Sequence, residues 1–148
     1  MLRETHEVCK VKVEPSSKKA ELEERSESMT FSILRIDHVQ VAAPAGQEAA
    51  AIAFYAGILG MKTIEKPQTL KERGCVWFEF GTHQLHVGVE DPFSPAKKAH
   101  PAFRVAGYTE MKEYLLANKI DFKEDDSIPE VERFFVFDPF GNRLEFLK

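Results

Sequence analysis

Apolar and polar residues alternate along Ile33-Leu34-Arg35-Ile36-Asp37-His38-Val39-Gln40-Val41, and the run stops short of Pro44. A two-residue period of this kind predicts a strand. The period then changes. Within Gln47–Leu59, Ala51, Ile52, Tyr55, Ile58 and Leu59 recur at helical spacing, and Gly60 stands where a helix would stop. Met61–Glu65, Cys75–Phe80 and Gln84–Glu90 read as three strands, with the turn Gly81-Thr82-His83 between the last two. The same order then begins again. His100–Val105 predicts a strand, and Thr109–Asn118 a helix with Met111, Tyr114 and Leu115 on one face. Thr109 is expected to cap that helix and Asn118 to close it. Asp121–Glu124, Val131–Phe137 and Arg143–Leu147 predict three more strands, the last two joined through Asp138-Pro139-Phe140-Gly141-Asn142. Each half reads β-α-β-β-β, an internal duplication visible in the order of elements.

The duplication aligns His38 with His100, 62 positions on, and His86 with Glu145, 59 positions on; a small loop difference accounts for the three-residue change in offset. Side chains alternate faces along a strand. Val39 and Val41 therefore oppose His38 and Gln40; Leu85, Val87 and Val89 oppose His86. Phe103 and Val105 oppose His100 and Arg104, and Leu144 and Phe146 oppose Arg143 and Glu145. One face of each strand suits a covering helix. The other carries three imidazoles and a carboxylate, a cup with a metal at its floor. Taken singly, a strand histidine is usually structural and a glutamate near a terminus usually solvated; matched pairs on one face are harder to reach by accident. Imidazole and carboxylate suit Zn, Ni, Co, Mn or Fe(II). His83, in a turn, and His6, in a charged segment, have no repeat partner and are left out of the site.

Composition changes the picture at the N-terminus. The chain has 148 residues, 20 Lys+Arg, 24 Asp+Glu and a net charge of −4. Residues 1–28 contain 13 charged residues, against 31 in the other 120. This segment is expected to be flexible, with a short helix around 18–25. Met29 is a candidate alternative start, and the domain is expected over 29–148, as modules 29–92 and 98–148. The mild acidic balance argues against nucleic acid. With no apolar run of 18 residues, a membrane span is not expected. The start lacks the apolar stretch of a signal peptide, and Cys9 and Cys75 make no disulfide framework. A cytoplasmic location is expected.

The segments Ile36-Asp37-His38-Val39, Ala53-Phe54-Tyr55-Ala56-Gly57-Ile58-Leu59-Gly60-Met61, Ala99-His100-Pro101-Ala102-Phe103 and Phe137-Asp138-Pro139-Phe140-Gly141-Asn142-Arg143-Leu144-Glu145-Phe146 resemble the vicinal oxygen chelate superfamily, the glyoxalase, bleomycin resistance and dioxygenase group. The resemblance spans about 33–148. It implies an α+β fold of two paired βαβββ modules, whose curved eight-stranded mixed sheet forms a cup with the helices outside. It also implies that His38, His100 and Glu145 are metal ligands. Position 86 matches a fourth ligand position, which looks like Glu in glyoxalase I enzymes and Gln in methylmalonyl-CoA epimerases. Here it is His86: a ligand, a support for one, or a substrate contact.

Three functions compete on this reading. The first is a divalent-metal-dependent lyase or isomerase of glyoxalase type, acting on a small oxygen-rich or carbonyl substrate. The metal would stabilise a developing enediolate, and Glu145 would be the catalytic base by resemblance. Arg104 would bind an anionic group or make a rim salt bridge. Gln40 would support the ligands, and Trp77, Phe135 and Phe137 would line an apolar wall or belong to the core. The second is an Fe(II) extradiol-type dioxygenase. The third is a non-catalytic drug-binding resistance protein, against which the intact ligand set argues. A homodimer is expected, since in the family the modules pair within one chain or across two.

Overall fold

Leu85 and Val87 of β4 (His83–Val89) point into the core and are almost fully buried, while His86 between them points the other way. β4 is the strand on which the first half is built in the computed structural model, which describes residues 30–74 and 76–148. β1 (His38–Ala43) lies parallel on one side of it. β3 (Val76–Phe80) lies antiparallel on the other and carries β2 (Lys62–Ile64) at its far edge, giving the order β1-β4-β3-β2. The second half repeats this with β5 (Ala102–Arg104), β6 (Phe122–Glu124), β7 (Arg133–Phe137) and β8 (Arg143–Leu147), in the order β5-β8-β7-β6. The eight strands are thus four to a module, and the hydrogen-bonded ladders run within each module.

The first strand is expected from residue 33 but begins at His38. Its ladder needs β4, and β4 has no residue to offer ahead of His83: His38 already pairs with Gln84. Residues 30–37 carry no regular secondary structure. The charged segment 1–28, the helix expected over 18–25, Met29 and Cys75 lie outside the described residues. Residues 36–148 form one compact unit.

The first helix begins as α1 (Glu48–Ala51) and widens into a π-helical stretch, Ile52–Ile58. It ends as its sequence predicts. Gly60 takes a left-handed φ of 71°, and the Met61 N–H closes back on the Tyr55 carbonyl. A 3₁₀ stretch, Gln68–Arg73, was not foreseen. In the second module α2 (Tyr108–Ala117) starts one residue before Thr109, so Thr109 lies in the first turn and does not cap it; the cap position is Gly107. Asn118 does close the helix, its side-chain amide donating to the Tyr114 carbonyl at 2.9 Å.

Phe54, Tyr55, Phe78, Leu85 and Val87 form the core with Leu115, Phe134, Val136, Leu144 and Phe146. Each such side chain contributes about 1.5–3 kcal/mol on burial. One polar knot joins the modules inside this core. Asp138, in the β7–β8 turn, accepts from the N–H groups of Phe140 and Asn142 at 2.9 and 2.8 Å. It also accepts from the Asn142 side-chain amide at 2.8 Å and the Tyr55 hydroxyl at 2.7 Å. The Asn142 amide also donates to the Ala42 carbonyl at the end of β1, at 2.7 Å. Burial, and then the neighbouring Asp138 carboxylate, push the Tyr55 hydroxyl far above the usual tyrosine range, so it stays a donor.

Candidate functional site

Strand register decides which side chains share a face. In the first module Gln40 pairs with His86, and His86 with Trp77; in the second Ala102 pairs with Glu145, and Glu145 with Phe135. The two rows match position for position. His38 stands two residues before its row within β1; His100 stands two before its row but ahead of β5, which begins at Ala102 and not at His100 as expected, and its ring still reaches Glu145. The repeat seen in sequence is therefore also a repeat in register, and His86 and Glu145 occupy its equivalent centres.

The first face is a stack of rings. The His86 ring lies 4.0 Å from Trp77, within 3° of parallel, and 4.2 Å from His38 at 19°. His86 is buried, and its Nε2 sits 3.0 Å from Gln84 Oε1. Burial, and then the adjacent His38, lower its proton affinity below that of an ordinary histidine. Asp37 Oδ1 lies 3.0 Å from His38 Nδ1. Gln40 reaches across Gly88: a Cβ there would stand 2.7 Å from the Gln40 amide nitrogen, so glycine leaves the space that the glutamine fills.

The second face is ionic. His100 Nε2 lies 2.8 Å from Glu145 Oε2, and Arg133 donates to Glu145 Oε1 at 2.9 Å. Burial raises the Glu145 proton affinity. The hydrogen bonds from His100 and Arg133, with the charge of Arg133, outweigh that and hold the carboxyl below the usual glutamate value. His100 Nδ1 lies 2.8 Å from the Lys98 carbonyl, which also accepts from Arg143 at 2.7 Å. Phe135 lies under this cluster, edge-on to His100 at 5.5 Å, with Arg133 and Arg143 at 5.5 and 4.9 Å from its ring centre.

A cavity of about 1230 Å³ lies between the edges of β1 and β5, lined among others by His38, Gln40, His83, His100, Arg104 and Arg143. Arg104, exposed at the rim, donates to the Lys148 carbonyl. Trp77 and Phe135 sit on the two faces but are not part of the lining. His83, excluded in sequence for want of a repeat partner, is exposed and does line the cavity. Arg133, Asp125 and Ser127 were also missed. The signal available for Arg133 was its place two residues before Phe135, on the face of Glu145.

The four expected ligands are brought together as two pairs, His38 with His86 and His100 with Glu145. Among the described residues no group of three or more His, Cys, Asp or Glu converges as a metal site needs. The donor chemistry of the second pair nevertheless fits a metal. It offers an imidazole nitrogen and a carboxylate oxygen side by side, with Nε2 donating to Glu145 Oε2 and Nδ1 lying 2.8 Å from both the Lys98 carbonyl and the Arg143 guanidinium.

The profile of the Glyoxalase/Bleomycin resistance protein/Dioxygenase superfamily matches residues 35–146. The crystal structure of a glyoxalase family protein from Bacillus anthracis is 51% identical, with a TM-score of 0.78, over 80% of this chain and 98% of that one. The fold also resembles a glyoxalase/dioxygenase from Nostoc punctiforme (22% identity, TM-score 0.62, 80% of this chain and 97% of that one). The fosfomycin resistance protein FosX of Listeria monocytogenes is a further match in fold (16%, TM-score 0.63, 78% and 93%). No curated protein matches the chain. Among the described residues no helix is long and apolar enough to cross a membrane.

Proposed function

The chain belongs to the Glyoxalase/Bleomycin resistance protein/Dioxygenase superfamily, and from that premise we propose that it is a divalent-metal-dependent lyase or isomerase of glyoxalase type. Its substrate is a small oxygen-rich or carbonyl compound, and it works in the cytoplasm. The observation that carries this reading is the second-module pair: Nε2 of His100 and Oε2 of Glu145 lie 2.8 Å apart, and the far side of the imidazole meets the Lys98 carbonyl and the Arg143 guanidinium. His38 and His86 supply the other half of the donor set. The two pairs meet in a homodimer, where the first module of one chain faces the second module of the other. Zn, Ni, Co, Mn or Fe(II) all suit these donors, and such an ion polarises substrate oxygens.

The chain's own residues divide the remaining work. Glu145, kept ionised by Arg133, is the group able to accept a proton at Oε2. Gln40, fixed over Gly88, offers an amide to the cavity. Arg104 at the rim offers positive charge to an anionic substrate group. Trp77 and Phe135 hold the ligand rings in place.

Metal analysis of the purified protein beside His38→Ala, His100→Ala and Glu145→Gln tests this. The wild type is expected to retain metal and each variant to lose it. Unchanged metal content in the variants sinks the proposal. Oxygen uptake with catechols after anaerobic iron loading would move the assignment to an extradiol-type dioxygenase, and tight drug binding by metal-free protein to a binding protein.

A further inference from the structure

Glu145 is held at both oxygens, and only one of its holders is a candidate ligand. Oε2 faces His100 Nε2 at 2.8 Å, whereas Oε1 takes a hydrogen bond from Arg133 at 2.9 Å. Arg133 is itself fixed. Its second terminal nitrogen donates to Asp125 Oδ1 at 2.8 Å and to Ser127 Oγ at 2.9 Å. Asp125 Oδ1 is anchored in turn by the N–H and hydroxyl of Ser127, at 3.0 and 2.6 Å. The guanidinium stands 5.5 Å from the Phe135 ring centre, and its Nε is buried without a partner. A guanidinium is planar, so anchoring one terminal nitrogen fixes the direction in which the other points.

We infer that Arg133 is a positioning residue for the metal centre: seated by Asp125 and Ser127, it occupies Glu145 Oε1 so that Glu145 presents Oε2 alone beside His100. This rests on the reading of His100 and Glu145 as ligands. A carboxylate free at both oxygens can rotate and take a metal through either or both; one pinned at Oε1 offers a single donor in a set direction. Supports of this kind typically govern metal affinity by about 10–100-fold. In the first module His86 is held instead by rings and by Gln84. Among the described residues, the hydrogen bonds of Asp125 and Ser127 reach Glu145 by way of Arg133.

The test is calorimetric titration of the full-length, metal-stripped protein with Ni²⁺, and the visible spectrum of its Co²⁺ form. Wild type, Arg133→Met, Arg133→Lys, Asp125→Asn, Asp125→Ala and His100→Ala are compared, with circular dichroism to show folding. Arg133→Met is expected to weaken binding about 10–100-fold and to alter the Co²⁺ spectrum. Arg133→Lys, which keeps the charge, should restore part of both, and Asp125→Asn should weaken binding by about tenfold or less. Wild-type affinity and spectrum in Arg133→Met overturn the inference and leave the ligands standing. Should that variant fail to fold, wild-type affinity and spectrum in Asp125→Ala, which removes the oxygen that Arg133 and Ser127 both engage, overturn it. A wild type that binds no metal, or His100→Ala that binds as well as wild type, overturns the ligand assignment and this inference with it.

Discussion

In the first module the central residue of the cup face is His86, flanked by the rings of Trp77 and His38; in the second it is Glu145, bonded to His100 and Arg133. Both positions are buried and sit at the same register. The neutral position is held by stacking, worth about 0.5–1.5 kcal/mol per pair beyond burial. The charged one is held by an ion pair with both partners largely shielded from solvent, which adds little net stability but is expensive to break from one side. Backbone ladders carry the sheet and leave this position free to differ. A duplicated scaffold can therefore keep its register while its two halves acquire different donors. Bulk is exchanged in the same way: Gln40 lies over Gly88 in the first module, and the repeat-equivalent positions in the second are Ala102 and Leu147.

The comparison can be broken most severely where the modules meet. Asp138→Ala strands four donors at once, and urea denaturation should show a loss of about 3–5 kcal/mol. Reciprocal exchanges at the centres come next. Glu145→His leaves Arg133 without its buried carboxylate and should lose about 3 kcal/mol. His86→Glu, which sets a carboxylate between the rings of Trp77 and His38, should lose about 1–3 kcal/mol through a buried charged group. Equal losses from the two exchanges would mean that the two centres do not differ in kind. A smaller effect is expected from Gly88→Ala, about 1 kcal/mol, as the methyl displaces Gln40. Adding Gln40→Ala should recover it, and a double-mutant cycle showing simple additivity would rule out that contact.

The smallest effect is a pH signature confined to the ionic module. Hydrogen bonds from Ser127, and then from Arg133, hold Asp125 at about 2. A carboxyl depressed on folding contributes stability above its unfolded value, near 4, and that contribution disappears as pH falls towards 2. Thermal melts of wild type and Asp125→Asn should therefore differ above pH 4 and converge below it. A constant gap across that range would count against the Ser127–Arg133 seat.

The duplication and the faces of its strands were legible because they depend on a local rule, the alternation of side chains. That rule located His38 with Gln40, His86 opposite Val87, and Glu145 opposite Phe146. It could not say where β1 begins, because that depends on where β4 starts, forty-five residues later. The cap at Thr109 failed for a related reason: Gly107 turns the chain two residues earlier. The setting of Arg133 was not legible in sequence, since its partners come from two other segments, Asp125 and Ser127 from one loop and Glu145 from β8. His83 was set aside because it lacked a repeat partner, yet the cavity edge follows the β3–β4 turn irrespective of the repeat.

The knot at Asp138 has a consequence for how the molecule comes apart. Its hydrogen bonds to Tyr55 and, through Asn142, to Ala42 span 83 and 100 residues of chain. A first module cut free would bury a tyrosine hydroxyl with nothing to receive its proton, and a second would keep a carboxylate with one donor missing. Neither half is a complete folding unit, and opening either exposes the other. The two copies remain legible as copies in their register, but they have lost the independence of separate domains, and the described body is expected to melt in one cooperative step, seen as a single calorimetric transition.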